Sequence, residues 1–266
     1  MAGGCGQAGS GGSLVIGIND PLCRQTASAC VAASADRDYA GLARQLSEAT
    51  GLRLSVRYYK AEEPLSEAIR SGQVDAAVAK TWTILRAQVG SPVHLVRVAD
   101  LRGRADDGLL RGVFITRADS GIASLADLAG KTVAFGSTVG YEKSYQARAA
   151  LAALGVEPGR TIELEACIDV AAAVYERRVD AGVVSHYVVD DGGLEQVAEK
   201  GTFRELGRTE GVPFITVAIS ENVDADVRAK LTDALLTIPA VRVPVDLRAT
   251  HFAPPRPWNP AELEKP

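Results

Sequence analysis

The sequence has no long apolar run, no excess of positive charge and no low-complexity composition. Its apolar runs are far shorter than the roughly 18 residues that a membrane-spanning helix needs, and 29 basic against 33 acidic residues give a net charge of −4. This balance gives no electrostatic reason to expect a nucleic-acid partner. The 266 residues are 47% hydrophobic and 23% charged, which is typical of a folded globular protein rather than a disordered or fibrous one.

The N-terminus also lacks the basic and apolar regions of a signal peptide. Residues 1–13 are rich in glycine and serine, which indicates a flexible tether. The small residue before Cys5 resembles a bacterial lipoprotein after removal of its signal. We therefore expect a periplasmic or extracytoplasmic location with a lipid anchor at Cys5; the alternative is an ordinary disordered start.

Cysteine is scarce, with four residues at positions 5, 23, 30 and 167. If Cys5 carries a lipid, three thiols remain, and an odd number cannot all pair within the chain. At least one thiol is then free.

Strand and helix patterns alternate along the chain in two successive units. The first unit has strands at 14–18, 52–59 and 75–79 and helices at 38–51 and 64–71; the second has strands at 132–135, 161–165 and 181–184 and helices at 141–154 and 169–178. A further helix is predicted over 224–236. Repeated alternation of this kind predicts an α/β fold of two lobes, each a mainly parallel sheet flanked by helices, with a ligand cleft between the lobes.

Two segments that share a Phe-Ile-Thr core, 112–116 and 212–217, bracket the second unit and are predicted to cross between the lobes. The predicted organisation is lobe 1 over 14–111 and 212–238, lobe 2 over 112–211, and an extended tail over 239–266. The tail holds seven of the twelve prolines, which favours an extended segment that wraps the surface.

The loops that leave the strands carry the chemically interesting side chains, because ligands of open α/β sheets bind beyond the carboxyl ends of the strands. The first loop carries Asn19, Asp20, Cys23 and Cys30. The candidate ligand-binding residues follow later strands: Lys80, Thr81 and Thr83; Ser137, Thr138, Val139, Tyr141 and Lys143; Cys167; and Ser185, His186 and Tyr187. Glu142 lies in the same loop as Lys143 and is not one of these candidates.

Four segments carry a resemblance to a known family: 71–76, 128–141, 174–182 and 212–214. Together they resemble the phosphate, phosphite and phosphonate substrate-binding proteins of ABC transporters. Those proteins are two-lobed periplasmic binding proteins of the second structural type. The resemblance spans residues 14 to about 238. It implies that Ser137 and Thr138 hold an oxyanion at the start of the following helix. A helix N-terminus favours anions on physical grounds as well, although either residue can simply cap that helix. Lys80 and Lys143 are candidates to neutralise the anion; the alternative is two solvated lysines.

The cysteines depart from that family's pattern, in which a histidine takes the place of Cys167 and the first loop is not rich in cysteine. Three interpretations stay open. Cys23, Cys30 and Cys167 can converge on arsenite, copper or zinc, with His186 as a fourth ligand. Alternatively, Cys23 and Cys30 form a disulfide while Cys167 is buried, or all three are unrelated buried thiols.

The hypothesis that the protein is an enzyme is weaker than the hypothesis that it is a binding protein. A Cys167 nucleophile with His186 as base, oriented by Asp169 or Asp190, can in principle catalyse acyl transfer, but no family signature surrounds these residues. Gly136–Gly140 matches neither the P-loop nor the dinucleotide-binding motif.

We therefore expect a monomeric, non-catalytic binding protein without a cofactor. It would close on a small oxyanion by a hinge motion at the crossover segments and serve an ABC permease or a membrane sensor kinase. A soft-ion binding protein is the alternative.

Overall fold

A computed structural model describes residues 13–103, 108–238 and 251–264. Residues 1–12, which include Cys5 and nearly all of the expected tether, lie outside these ranges, as do residues 239–250 of the expected tail. No helix within the described ranges is both long enough and apolar enough to cross a bilayer.

The described ranges form thirteen strands and seven α-helices. In chain order the strands are β1 Leu14–Asn19, β2 Leu54–Tyr58, β3 Ala76–Lys80, β4 Leu95–Arg102, β5 Leu109–Leu110, β6 Gly112–Arg117, β7 Thr132–Phe135, β8 Arg160–Glu163, β9 Ala181–Ser185, β10 Phe203–Arg208, β11 Val212–Pro213, β12 Ile215–Ser220 and β13 His251–Ala253. The helices are α1 Tyr39–Thr50, α2 Glu62–Arg70, α3 Thr81–Gln88, α4 Tyr145–Ala153, α5 Cys167–Tyr175, α6 His186–Asp190 and α7 Ala225–Thr237.

Two sheets organise the molecule. The first has the strand order β13-β4-β12-β3-β1-β2 and the second the order β10-β6-β9-β7-β8. We call the part built on the first sheet lobe 1 and the part built on the second sheet lobe 2. The α/β class with two lobes is as predicted. Each sheet is mixed rather than mainly parallel, because β12 and β6 run antiparallel to the strands beside them.

The chain passes between the lobes at a short ribbon, in which β5 pairs with β11. From β5 the chain continues into β6 of lobe 2, and from β11 it continues into β12 of lobe 1. The predicted crossover segment 112–116 therefore follows this ribbon directly, and segment 212–217 begins within it at β11. The exact lobe boundaries, and motion about them, stay a prediction.

Short, mostly apolar runs and helix-end signals explain why several of these elements form. All residues of β3, β9 and β12 are buried, as expected for central strands that are covered on both faces. Helix α1 begins after Asp38, whose carboxylate accepts from the backbone N–H of Ala40 and Gly41, and it ends at Gly51 with a φ of 69°. Both are standard helix-end signals.

Five elements were not predicted from the sequence, namely α3, β4, β5, α6 and β10, and the tail contributes one more. Strand β13 adds to the edge of the first sheet by pairing with β4. The described part of the tail is therefore not merely an extended surface segment: it is hydrogen-bonded to lobe 1.

Candidate functional site

The carboxyl ends of β3, β7 and β9 meet where the two lobes face each other. Lys80 ends β3 in lobe 1, and its Nζ lies 3.8 Å from Oε1 of Glu142 in lobe 2. Close by, the indole N–H of Trp82 donates to the backbone carbonyl of Thr138 across the same boundary, at 3.0 Å. The structure thus brings together residues of both lobes that are about sixty positions apart in the chain.

Lys80 lies between two carboxylates. Its side chain is 9% exposed, and its Nζ is 3.6 Å from Oε1 of Glu62 as well as 3.8 Å from Glu142. Burial alone would lower the pKa of Lys80, but the negative charges around it, above all that of Glu142, raise the pKa well above its usual value. Lys80 is therefore a buried ammonium that is already paired.

Glu142 is fully buried, and it was not predicted from the sequence as a ligand-binding residue. Its Oε1 accepts a hydrogen bond of 2.5 Å from the Ser185 hydroxyl, whereas its Oε2 has no hydrogen-bond partner among the described residues. Burial acts to raise its pKa, yet the charges of Lys80 and Lys143 and the Ser185 hydrogen bond together lower it. Glu142 is thus held as a carboxylate in the middle of the site.

The helix predicted over 141–154, with Ser137 and Thr138 placed at its N-terminus, starts later than expected. Helix α4 begins at Tyr145, because residues 136–144 first close a loop on themselves. The backbone N–H of Gly136 donates to the carbonyl of Lys143, and that of Gly140 donates to the carbonyl of Ser137. The Lys143 side chain packs so tightly over Gly136 and Gly140 that a Cβ at either glycine would overlap it. A helix dipole therefore does not act directly on Ser137 or Thr138.

A cavity of about 300 Å³ opens between α2 and α3 of lobe 1 and this loop of lobe 2. Five of the candidates line it together, namely Lys80, Thr83, Ser137, Val139 and Lys143. Its other lining residues are Ala61, Glu62, Glu63, Ser66, Arg86, Gly140 and Glu165.

The remaining candidates lie outside the cavity lining. Thr81 is fully buried, and its N–H and hydroxyl donate to the Phe214 carbonyl beside the crossover ribbon. Thr138 is exposed, while Tyr141 is buried against Trp82, with ring centroids 4.8 Å apart.

The charges around the cavity balance each other. Three acidic side chains, Glu62, Glu63 and Glu165, face three basic ones, Lys80, Arg86 and Lys143. The Nζ of Lys143 donates to the backbone carbonyl of Glu165 and lies 4.0 Å from the Cys167 sulfur. Lys80 and Lys143 are therefore not solvated cations, because each already contacts acidic or carbonyl oxygens of the protein. A bound anion has to compete with these oxygens for the two ammonium groups.

Comparison with known proteins identifies the family. A family model described as the periplasmic phosphonate substrate-binding protein of ABC transporters matches residues 31–256. The chain belongs to this family. Its location is therefore extracytoplasmic, and its partners are a small-molecule ligand and a membrane permease, as expected. No curated protein sequence matches the chain.

Solved structures share the fold of this phosphonate-family protein at low sequence identity. XAC2383 from Xanthomonas citri, bound to chloride, is 21% identical, with 96% of this chain and 95% of that chain covered and a TM-score of 0.67. PhnD1 from Prochlorococcus marinus, in complex with methylphosphonate, is 13% identical, with 96% of both chains covered and a TM-score of 0.70. A binding protein component of an ABC phosphonate transporter from Pseudomonas aeruginosa is 18% identical, with 91% and 81% covered and a TM-score of 0.67. These likenesses confirm the fold and say nothing about this protein's own ligand.

The thiols of this family member do not form the predicted three-cysteine site. Cys23, Cys30 and Cys167 are all buried and unpaired, which corrects the Cys23–Cys30 disulfide. The two are held separately: the Cys23 thiol donates to the Gln25 side chain, whereas the Cys30 carbonyl accepts from Gln196 of lobe 2. Across the described ranges, no group of three or more His, Cys, Asp or Glu is placed to hold a metal ion, so the site with His186 as fourth ligand is not formed either.

The last four candidates are buried and do not line the cavity: Cys167, Ser185, His186 and Tyr187. The Cys167 sulfur accepts from the Ser185 N–H at 3.4 Å. Tyr187 stacks on Phe214, with centroids 5.5 Å apart, and His186 meets both rings edge-on.

The suggested acyl-transfer triad gains no support from these contacts. The carboxylate of Asp190 pairs with Arg208 near the surface. Asp169 is exposed.

The loop after β1 is a structural unit organised by Asp20. This fully buried carboxylate accepts from the Arg37 guanidinium at 2.8 Å, from the Tyr39 hydroxyl and from the Leu22 N–H at 2.9 Å. The same loop places Cys30 in contact with lobe 2, where the Cys30 carbonyl accepts a hydrogen bond from the Gln196 side chain. Its polar residues thus shape the loop and do not line the cavity.

Proposed function

We propose that this protein captures a small phosphorus oxyanion, such as phosphate, phosphite or an alkylphosphonate, in the cleft between its lobes and delivers it to an ABC permease. The observation that carries the proposal is the single cavity lined by Lys80 and Thr83 of lobe 1 together with Ser137 and Lys143 of lobe 2. Its volume of about 300 Å³ is at the lower end of the range for small-molecule sites. A ligand held from both sides favours the closed arrangement of the lobes.

The donors suit an oxyanion. Lys80 and Lys143 supply charge-assisted hydrogen bonds, and the Ser137 and Thr83 hydroxyls supply neutral ones. In the described state the Thr83 hydroxyl donates to Glu62 at 2.7 Å. Ligand capture therefore exchanges contacts with Glu62 for contacts with the anion.

The acidic residues set the preferred charge of the ligand. A dianion would add two negative charges to a cavity whose charges already balance, beside the buried carboxylate of Glu142. A singly protonated phosphonate or phosphite brings less charge, and its P–OH group can donate a hydrogen bond to a carboxylate. Sulfate brings two charges and no hydrogen-bond donor, so it is the disfavoured ligand.

The proposal is tested by thermal unfolding of the reduced protein with methylphosphonate, phosphite, phosphate, sulfate, arsenite and zinc. A ligand at about 100 times its dissociation constant adds about 2.7 kcal/mol and raises the Tm by about 5 to 10 °C for a chain of this size. The expected result is a shift with at least one phosphorus oxyanion, unchanged after thiol alkylation and absent with sulfate.

A double variant, Ser137→Ala with Thr138→Val, is expected to abolish the shift. Its matched control, Ser71→Ala with Thr161→Val, removes the same groups at exposed positions away from the cavity and is expected to keep it. A shift with arsenite or zinc alone, lost on alkylation, would replace the proposal with the thiol-based alternative, and no shift with any compound would overturn it.

A further inference from the structure

Four aromatic rings from three separate parts of the chain pack together at the edge of the cleft. Trp82 belongs to α3 of lobe 1, Tyr141 and Tyr145 belong to lobe 2, and Trp258 belongs to the segment after β13. The Trp258 ring lies 5.1 Å from that of Tyr141 and 6.4 Å from that of Trp82, measured between centroids. Tyr145 lies 5.7 Å from Trp82 and 6.0 Å from Tyr141.

These spacings describe packed rings and not an aromatic cage around a ligand. Aromatic pairs in contact have centroids about 4.5 to 7 Å apart, and all the distances in this cluster fall in that range. The cluster is therefore a contact between lobes, in addition to the hydrogen bond from Trp82 to the Thr138 carbonyl.

The segment that carries Trp258 is fastened to lobe 1. Strand β13 pairs with β4 through Phe252 and Leu101. Two residues before Trp258, the Arg256 N–H donates to Oδ2 of Asp100 at 2.9 Å, and the Arg256 carbonyl accepts from Arg97, also at 2.9 Å. The backbone two residues before Trp258 is thus hydrogen-bonded to β4 of lobe 1.

The partner of Trp258 in lobe 2 belongs to the loop that lines the cavity. Tyr141 follows Ser137, Val139 and Gly140, all three of which line that cavity. Contact between Trp258 and Tyr141 therefore requires that this loop approach lobe 1. The same contact is lost when the lobes separate.

We propose that Trp258 is a positioning residue for ligand capture, and that residues 251–258 form a strap that reaches from lobe 1 across the cleft edge. Acting through Tyr141, Trp258 holds the loop of residues 137–141 in the closed arrangement. It favours closure without touching the ligand. The part of this proposal that concerns ligand release rests on the proposed function, whereas the part that concerns closure does not.

The test compares Trp258→Ala and Trp258→Phe with the wild type, with Asn259→Ala as a control at an exposed neighbouring position. Small-angle X-ray scattering of the ligand-free proteins measures the radius of gyration. Trp258→Ala is expected to increase it, whereas the other two variants are expected to match the wild type. Urea unfolding of each variant verifies that the protein scattered is folded.

Ligand release supplies a second readout. The chain has two tryptophans, so Trp82 is the only indole reporter in the Trp258 variants. In stopped-flow experiments with methylphosphonate, Trp258→Ala is expected to dissociate about tenfold faster, as expected from the loss of an aromatic contact, with little change in the association rate.

An unchanged radius of gyration together with an unchanged dissociation rate would overturn the proposal. If the wild type binds no methylphosphonate, then the scattering comparison alone decides the role of Trp258. A missing ligand counts against the proposed function and not against the strap.

Discussion

Lys80 of lobe 1 and Glu142 of lobe 2 form an ion pair across the cleft, with 3.8 Å between Nζ and Oε1. The pair is buried on both sides, and Ser185 and Glu62 complete it through a hydrogen bond and a second ion pair. Removing one partner of a buried pair leaves an uncompensated charge, which is much more costly than losing a surface pair. The closed arrangement of the lobes and the charge state of these two residues are therefore linked.

Stability is predicted to depend on pH through this pair. The pKa of Glu142 is lowered from 4.5 in the folded protein, so its stabilisation is present above about pH 4.5 and is lost as the pH falls through the folded pKa. The pKa of Lys80 is raised from 10.5, so its stabilisation is present below that value and is lost as the pH rises through the folded pKa. The pair contributes fully between these limits.

Glu142→Gln tests this window by urea unfolding. The variant is expected to be less stable than the wild type near neutral pH, and the difference is expected to shrink as the pH falls through the folded pKa of Glu142. Glu63→Gln is the control, because Glu63 forms an exposed pair with Arg70 and is expected to have a small effect at every pH. An equal loss of stability for Glu142→Gln at neutral and acid pH would contradict the linkage.

Asp20→Asn is predicted to destabilise the protein by about 3 kcal/mol, because it removes the buried carboxylate charge that pairs with Arg37 at 2.8 Å. Urea unfolding at neutral pH measures the loss. Asp38→Asn is the matched control: asparagine caps a helix about as well as aspartate, so a change within about 0.5 kcal/mol is expected. Similar effects of the two substitutions would show that Asp20 is not the organiser of the loop.

The three thiols in the described ranges are predicted to be unpaired and slow to react. Burial raises the pKa of Cys23 and Cys30, which lowers the thiolate fraction that alkylating reagents attack. Peptide mapping of protein alkylated in urea without reductant should show Cys23, Cys30 and Cys167 all modified. In the native protein the three should react far more slowly than the thiol of an Ala149→Cys variant, which is exposed on α4. A peptide in which Cys23 is disulfide-linked to Cys30 would contradict the structure.

Much of the fold follows from local sequence patterns. The apolar runs of β1, β3 and β9 and the helix-end signals of α1 are evident in the sequence because each depends on neighbouring residues. Strand β4 was missed because Arg97 and Asp100 interrupt its apolar pattern; the structure shows that the two side chains pair with each other at 2.9 Å. Helix α3 was missed because it follows β3 directly, with no capping side chain to mark its start.

The site was predicted only in part, since its contacts depend on how the lobes meet. Lys80, Thr83, Ser137 and Lys143 were predicted to lie together because the loops at the carboxyl ends of the strands meet at one edge of each sheet, and they line one cavity. The roles of Glu142 and Trp82 were missed, although each lies next in sequence to candidate residues. Their partners are far away in sequence, and no local pattern shows that a glutamate will meet Lys80 or that an indole will meet Thr138.

Isothermal titration of methylphosphonate, phosphite and phosphate into the wild type and Lys80→Met tests the central claim most directly. Lys131→Met serves as a control because Lys131 is exposed on lobe 2. We predict one site per chain for at least one of the three anions and an affinity at least about tenfold weaker in Lys80→Met, equivalent to about 1.4 kcal/mol, because Glu62 and Glu142 then repel the anion. Lys131→Met should bind as the wild type does. Absence of binding by the wild type, or equal affinity in Lys80→Met, would contradict the assignment of the cleft as an oxyanion site.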